Sequence, residues 1–363
     1  MFVLDSHCDT PSQIMRLRNL GIDNPYAHVD FPKLARGGVD ASFFALFTPG
    51  TMAPDAATRY ALEMLAGVND AVEAAPDMAA MAYSPEDALK NKAAGKTSIF
   101  IGLENGLPIQ ESLALLRQFY RMGVRYLTLT HNTDNQICDS AAQGKRWGGL
   151  SPFGRKVVAE MNRLGMVIDL AHASDSTFFD CVRCSKAPVV STHSCCRALA
   201  SHRRNMSDEM LKAIAAVDGV IKIQINFYPL FLSDDFGIEL EKSGLDPIAD
   251  AVEAQFIQDP ASPEKYRAWV EVQKKLSMLK RPSYKTVVDH IDHAVSVAGI
   301  DHVGIGSDFD GINVTPEGLE DVSKMPVIFD EMRKRGYSEN DIEKVAGANF
   351  LRVMRDVRSV SEG

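Results

Sequence analysis

The sequence predicts an α/β fold of the (β/α)8 TIM-type barrel, a ring of eight parallel strands wrapped in helices. Three observations predict it. Short apolar runs alternate with helical patterns eight times along the chain. The runs are rich in β-branched side chains and are bounded by Gly, Pro or Asn. The 363 residues suit one barrel with insertions better than several small cores, so residues 1–363 read as a single domain.

The eight runs are Phe2–Asp9, Val39–Phe47, Ser98–Glu104, Val124–His131, Met166–His172, Ala187–His193, Gly219–Tyr228 and His302–Asp308. Between them, Gln110–Met122 places Leu113, Leu116 and Tyr120 on one helical face, with Gly123 as its stop. Ser151 and Pro152 open another helix as N-cap and first residue; Val157, Val158, Met161 and Leu164 keep helical spacing until Gly165. Ser207–Val217 starts with a Ser cap and an acidic first turn. Two connections are long. Residues 51–95, after the second strand, are expected to hold one long helix and one short one; residues 229–300, after the seventh, hold at least two, ending in Tyr284–Ala298.

Composition narrows the partners. A formal net charge of -9 argues against nucleic acid, whose phosphates need clustered Lys and Arg. Nothing favours a membrane: no run reaches the ~18 apolar residues of a span, and the tail Arg358–Gly363 is polar. Six cysteines are too sparse for a disulfide framework, and no signal-type segment opens the chain, so a cytoplasmic location is expected.

The chemistry sits where the runs end. The first closes with His7 and Asp9, the third with Glu104, the fourth with His131, the fifth with His172, the sixth with His193 and the eighth with Asp308. In a parallel barrel all these ends meet on one rim, where active sites lie. On a single extended strand Asp5, His7 and Asp9 would also share a face. Histidines with carboxylates suit Zn²⁺ or a similar cation. Five ligands exceed one tetrahedral zinc with an open position, but suit two metals ~3.5–4 Å apart that share a carboxylate and a hydroxide. Glu104 is the best bridge, having the longer side chain at a strand end between the two groups. Asp308 is placed either to move a proton or to serve as a further ligand.

Seven segments carry a resemblance: Asp5–Pro11, Ile101–Gly106, Tyr126–Asn132, Ile168–Ser174, Val190–Ser194, Arg203–Asn205 and Gly304–Gly311. In this order, over nearly the whole chain, they resemble the membrane (renal-type) dipeptidase family of metallopeptidases. The resemblance implies a zinc-dependent dipeptidase with two Zn²⁺ per chain, and suggests a homodimer. By motif, His7, Asp9 and Glu104 would hold one zinc, and Glu104, His172 and His193 the other. His131 and Arg204 would bind the dipeptide, with Asp308 the proton-transfer residue. An Arg suits the free α-carboxylate of a dipeptide, and motif register favours Arg204 over Arg203. A neutral or protonated His131 could polarise the scissile carbonyl. Whether a C-terminal D-residue is accepted stays open. The mammalian members are secreted and lipid-anchored, features for which this chain offers no segment.

Two other readings compete. One is another metal-dependent barrel amidohydrolase acting on cyclic amides, lactones or phosphoesters. Many of those use His-x-His on strand one and a modified Lys bridge, where this chain has His7-x-Asp9 and Glu104. The other is a non-catalytic binding protein on the same scaffold. Among the remaining candidates, Cys181 and Cys184, and Cys195 and Cys196, read as packing residues. His290 and His293, three apart on a helix, read as a solvated face, and His302 as structural.

Overall fold

The computed structural model describes residues 1–216 and 222–362. Its strands are β1 (Leu4–Cys8), β2 (Ala41–Phe47), β3 (Ala79–Met81), β4 (Thr97–Glu104), β5 (Val124–Thr128), β6 (Val167–Asp169), β7 (Val189–Ser194), β8 (Lys222–Ile225) and β9 (Val303–Ile305). Eight of them pair in the order β1-β2-β4-β5-β6-β7-β8-β9, every pair parallel. Just past β9 the ring returns to β1: Asp308 N donates to His7 O at 3.0 Å, and Asp9 N to Phe309 O at 2.9 Å. The (β/α)8 TIM-type barrel expected from the alternation is therefore the fold.

Three local features differ from expectation. The short strand β3 pairs with β4 from Ala79↔Thr97 to Met81↔Ile99, whereas β5 joins β4 only from Ile101. It extends the ladder where the barrel neighbour has not begun, and three residues are too few to display an alternation. The fourth, fifth and eighth runs pair only as far as Thr128, Asp169 and Ile305, so His131, His172 and Asp308 stand on the loops beyond. His172 (φ 66°), Asp308 (φ 64°) and Asp310 (φ 65°) adopt the left-handed region, which ends an extended run. Finally, the β1–β2 register shifts between Asp5 and Cys8, breaking strict alternation. Asp5 turns to Ser307, accepting from its N at 2.8 Å and its Oγ at 2.5 Å. The start of the expected Gly219–Tyr228 strand and Val217 of the preceding helix lie outside the described residues.

The long connections fill as helices. Residues 51–95 give Pro54–Glu73 and Pro85–Ala93. Residues 229–300 give five: Pro229–Leu232, Asp234–Ser243, Asp246–Gln258, Pro263–Ser277 and Tyr284–Ala298. The cap signals act as read. Ser151 Oγ accepts from Gly154 N at 2.8 Å, and Gly165, at φ 71°, ends the helix Pro152–Leu164.

Opposite the polar rim, the barrel is stoppered by its own C-terminal helix, Asn349–Glu362. Phe350 and Met354 join Leu4, Phe43, Phe100 and Tyr126 in one buried cluster, with Phe43 stacked on Phe100 at 4.8 Å and edge-on to Phe350 at 5.2 Å. Gly102 makes room for Tyr126, since a Cβ there would lie 2.0 Å from the phenol Cζ. Tyr126 thus spans from the apolar layer to the polar one, and its hydroxyl reaches His7 Nδ1 at 2.8 Å.

Candidate metal centre at the barrel mouth

The strand ends converge as expected. His7, Glu104 and His193 are nearly solvent-free, and Asp9, His172, Arg204 and Asp308 are buried. Glu104 lies at the centre. Its Oε2 is 3.5 Å from His7 Nε2, while its Oε1 is 3.1 Å from His172 Nε2 and 3.5 Å from His193 Nε2. His7 Nε2 also lies 3.5 Å from Asp9 Oδ2 and 3.9 Å from Asp308 Oδ1. Donor atoms within 4.8 Å of one another form three sets: His7, Glu104 and His193; Glu104, His131 and His172; His7, Asp9 and Asp308. One connected patch thus holds every metal-type residue named from the sequence.

The question is whether these residues fit a metal, and hydrogen-bond direction answers it. The buried Asp169 carboxylate only accepts: it takes Thr192 N at 2.8 Å, Ala171 N at 3.0 Å, Thr192 Oγ1 at 2.7 Å and the Thr128 hydroxyl. The Thr192 proton is therefore committed, so its oxygen accepts from His193 Nδ1 at 2.9 Å. His172 Nδ1 likewise faces the side-chain amide oxygen Oδ1 of Asn132 at 3.0 Å. With both Nδ1 atoms protonated, both Nε2 atoms carry lone pairs, yet they stand 3.0 Å apart. Two lone pairs so close repel unless a cation lies beside them. His7 Nε2 and Asp9 Oδ1 are buried with no hydrogen-bond partner at all. Unpaired lone pairs in a buried ring, with each histidine oriented through its far nitrogen, are what a metal site requires.

Electrostatics agrees. Burial alone would lower His7, but Glu104 and Asp9 raise it well above the usual imidazole range. The cradle favours a positive charge at that spot, whether proton or metal. Burial holds both His172 and His193 well below that range, helped by Arg204 at His172 and by His7, then Arg204, at His193. Burial pushes Asp308 up to about 8, with Asp9 and Glu104 adding to it and His7 opposing. A bound cation would pull the other way.

The surrounding groups are also in place. His131 packs against Phe47 (ring centroids 4.6 Å) and His172 (4.1 Å), and burial with Arg204 beside it depresses its pKa to about 3, so it is neutral. Arg204 is 6% exposed, whereas Arg203 is an exposed residue. Its Nη2 donates to His193 O at 3.2 Å, its guanidinium lies over Phe231 at 5.5 Å, and its Nε is unpaired. Asp308 Oδ2 accepts from Asn226 Nδ2 at 2.9 Å.

Sequence reasoning missed the supporting residues Tyr126, Asn132, Asp169, Thr192 and Asn226. Only Asp169 left a signal, a carboxylate inside an otherwise apolar run. The reading of His290 as solvated is corrected: it is fully buried, accepting from Cys196 N at Nδ1 (3.0 Å) and donating from Nε2 to Leu232 O (3.1 Å). Those partners come from the segment after β7 and the helix Pro229–Leu232, both distant in sequence, which helical spacing cannot reveal. His293 is half-buried, 2.7 Å from Asp208. Cys181 and the other five cysteines are free thiols, most of them buried.

Barrel and lone pairs together define a metal-dependent hydrolase. The family described as membrane dipeptidase (peptidase family M19) matches residues 1–363. Dipeptidase verJ of Clonostachys rogersoniana is 33% identical, over 97% of this chain and 81% of that protein. The probable dipeptidase PvdM from Pseudomonas aeruginosa superposes with a TM-score of 0.84 at 28% identity, covering 99% of this chain and 96% of that one. The metallopeptidase from Rhodobacter sphaeroides, liganded with a phosphinate mimic of dipeptide L-Ala-D-Ala, shares the fold: TM-score 0.80, 24% identity, 98% and 99% coverage. This chain belongs to the M19 membrane dipeptidase family and is a metallo-dipeptidase. Among the described residues no helix is long and apolar enough to cross a membrane.

Proposed function

We propose that the enzyme holds two Zn²⁺ ions, one by His7, Asp9 and Glu104 and one by Glu104, His172 and His193, and hydrolyses dipeptides. One observation carries this reading: the two Glu104 oxygens face different histidines, Oε2 toward His7 and Oε1 toward His172 and His193. When bound, such ions polarise a carbonyl and acidify water near neutral pH.

The chain's own groups supply the rest. The unpaired Arg204 Nε, at the buried rim, takes the α-carboxylate of the dipeptide and fixes its direction. Neutral His131 donates toward the scissile carbonyl oxygen as charge develops there. Asp308, steadied by Asn226, accepts the proton of the attacking water and passes it to the leaving amine. The mimic held by the Rhodobacter sphaeroides protein has a D-residue at its C-terminal end, so L,D dipeptides belong in the substrate panel beside L,L ones. Six free thiols suit the reducing cytoplasm.

Exhaustive chelation should abolish dipeptide hydrolysis, and zinc should restore it at two ions per chain. Undiminished turnover by metal-free protein would refute the mechanism, and full activity at one ion per chain would refute the paired centre. A lactone or phosphotriester turned over while every dipeptide stays inert would move the protein to the amidohydrolase reading.

A further inference from the structure

Unpaired buried polar atoms mark the metal centre, and among the described residues three more of them gather around one cavity elsewhere. Arg16 Nη1, Trp269 Nε1 and Arg281 Nε are buried without a hydrogen-bond partner, and all three residues line a single cavity of about 210 Å³. The cavity lies between the segment after β1, the helices Asp246–Gln258 and Pro263–Ser277, and the loop after β9. It is not the catalytic mouth, since none of the metal-type residues, nor Arg204, lines it. The two back onto one another. Asp310 and Ile312 line the cavity, while Gly311 between them packs on the centre, where a Cβ would lie 2.1 Å from Asp9 Oδ2.

All three orphaned atoms are N–H donors. Arg16 has one carboxylate already, Glu253 Oε1 at 2.8 Å from its Nη2. Arg281 has less: its nearest carboxylate, Glu320 Oε1, is 3.8 Å away and itself accepts from Gly318 N at 2.8 Å. Trp269 is 9% exposed, and the Arg281 side chain 13%. Glu253, Asp310, Glu320 and Asp321 also line the cavity, yet the unpaired buried atoms there are all donors; such donors call for a ligand that accepts, and planar guanidinium groups suit a carboxylate. The space has room for a ligand of amino-acid size.

We propose that this cavity binds the carboxylate of a small organic acid, with Arg281 and Arg16 as its clamp and the Trp269 indole N–H as a third donor. The acid is either an amino acid of the kind a dipeptidase releases or a simple acid without an amine.

The test uses metal-loaded W147F enzyme, in which Trp269 is the remaining indole of the two in the chain. Glycine, L-alanine, acetate and succinate are titrated at constant ionic strength while Trp269 emission is followed. A saturable change is expected. R281Q should weaken it roughly ten-fold or more, as for a lost charge-assisted hydrogen bond, with R16Q as the substitute should R281Q not fold. E253Q should tighten it by freeing Arg16. Dipeptide hydrolysis by these variants should stay within about two-fold, since the sites share no lining side chain. A response to glycine and L-alanine alone assigns the site to amino acids, and an equal response to acetate assigns it to organic acids at large. No saturable change with any of the four, or one indifferent to R281Q, R16Q and E253Q, overturns the proposal.

Discussion

Replacing Asp169 by Asn tests whether hydrogen-bond direction sets up the metal centre. The carboxylate takes four donors: Thr192 N (2.8 Å), Ala171 N (3.0 Å), Thr192 Oγ1 (2.7 Å) and the Thr128 hydroxyl. An Asn amide keeps its oxygen toward the two backbone N–H groups and turns its NH₂ toward the two hydroxyls. Thr192 must then accept from Asn and give its proton to His193 Nδ1, which moves the imidazole proton to Nε2. That atom loses the lone pair it presents beside Glu104 and His172. Losing the orienting partner of a ligand typically costs 10–100-fold in metal affinity, or ~1.4–2.8 kcal/mol. Backbone and burial are unchanged, so the variant should fold. Competition against a chromophoric chelator measures the affinity of each ion, with Thr192→Val as companion because it removes the relay hydroxyl. D169N that is folded and binds metal as tightly as wild type would refute the chain of reasoning from Asp169 to His193.

Asp308→Asn should lower kcat by roughly a hundred-fold or more while metal content, read by elemental analysis, stays at the wild-type value. Near-normal turnover would remove Asp308 from proton transfer. Arg204→Ala should chiefly raise KM for dipeptides, since it deletes a carboxylate contact made before the transition state; an unchanged KM would place that carboxylate elsewhere. His290 makes a pH prediction. Burial lowers its pKa from 6.5 to about 4 in the folded chain. The unfolded chain therefore takes up this proton first, and stability falls as pH drops from ~6.5 to ~4, by ~3 kcal/mol in all. Between pH 7 and pH 4 the urea midpoint of chelated wild type should fall further than that of His290→Gln; an equal fall in the two would refute the reasoning.

What could be read from the chain alone was the set of groups with intrinsic metal chemistry, because each sits at the end of an apolar run and barrel geometry brings those ends together. What could not be read depends on which strand lies beside which. Thr192 is an ordinary residue in its own run, and Asp169, a lone carboxylate in an apolar one, becomes its relay partner only because β6 and β7 are neighbours. Tyr126 reaches His7 only because Gly102 on β4 leaves space for its ring. The β1 register shift is set by its junction with the far end of the chain, so the local pattern gives no hint that Asp5 leaves the face of His7. β3 is too short to carry a period.

The seam between β9 and β1 has a consequence for biosynthesis. His7 and Asp9 are synthesised some three hundred residues before Asp308 and the loop that locks onto them. A nascent polypeptide stalled before that point exposes an incomplete cradle with one wall missing. A chain cut before Asp308 lacks one wall of the cradle and should therefore show no dipeptide hydrolysis.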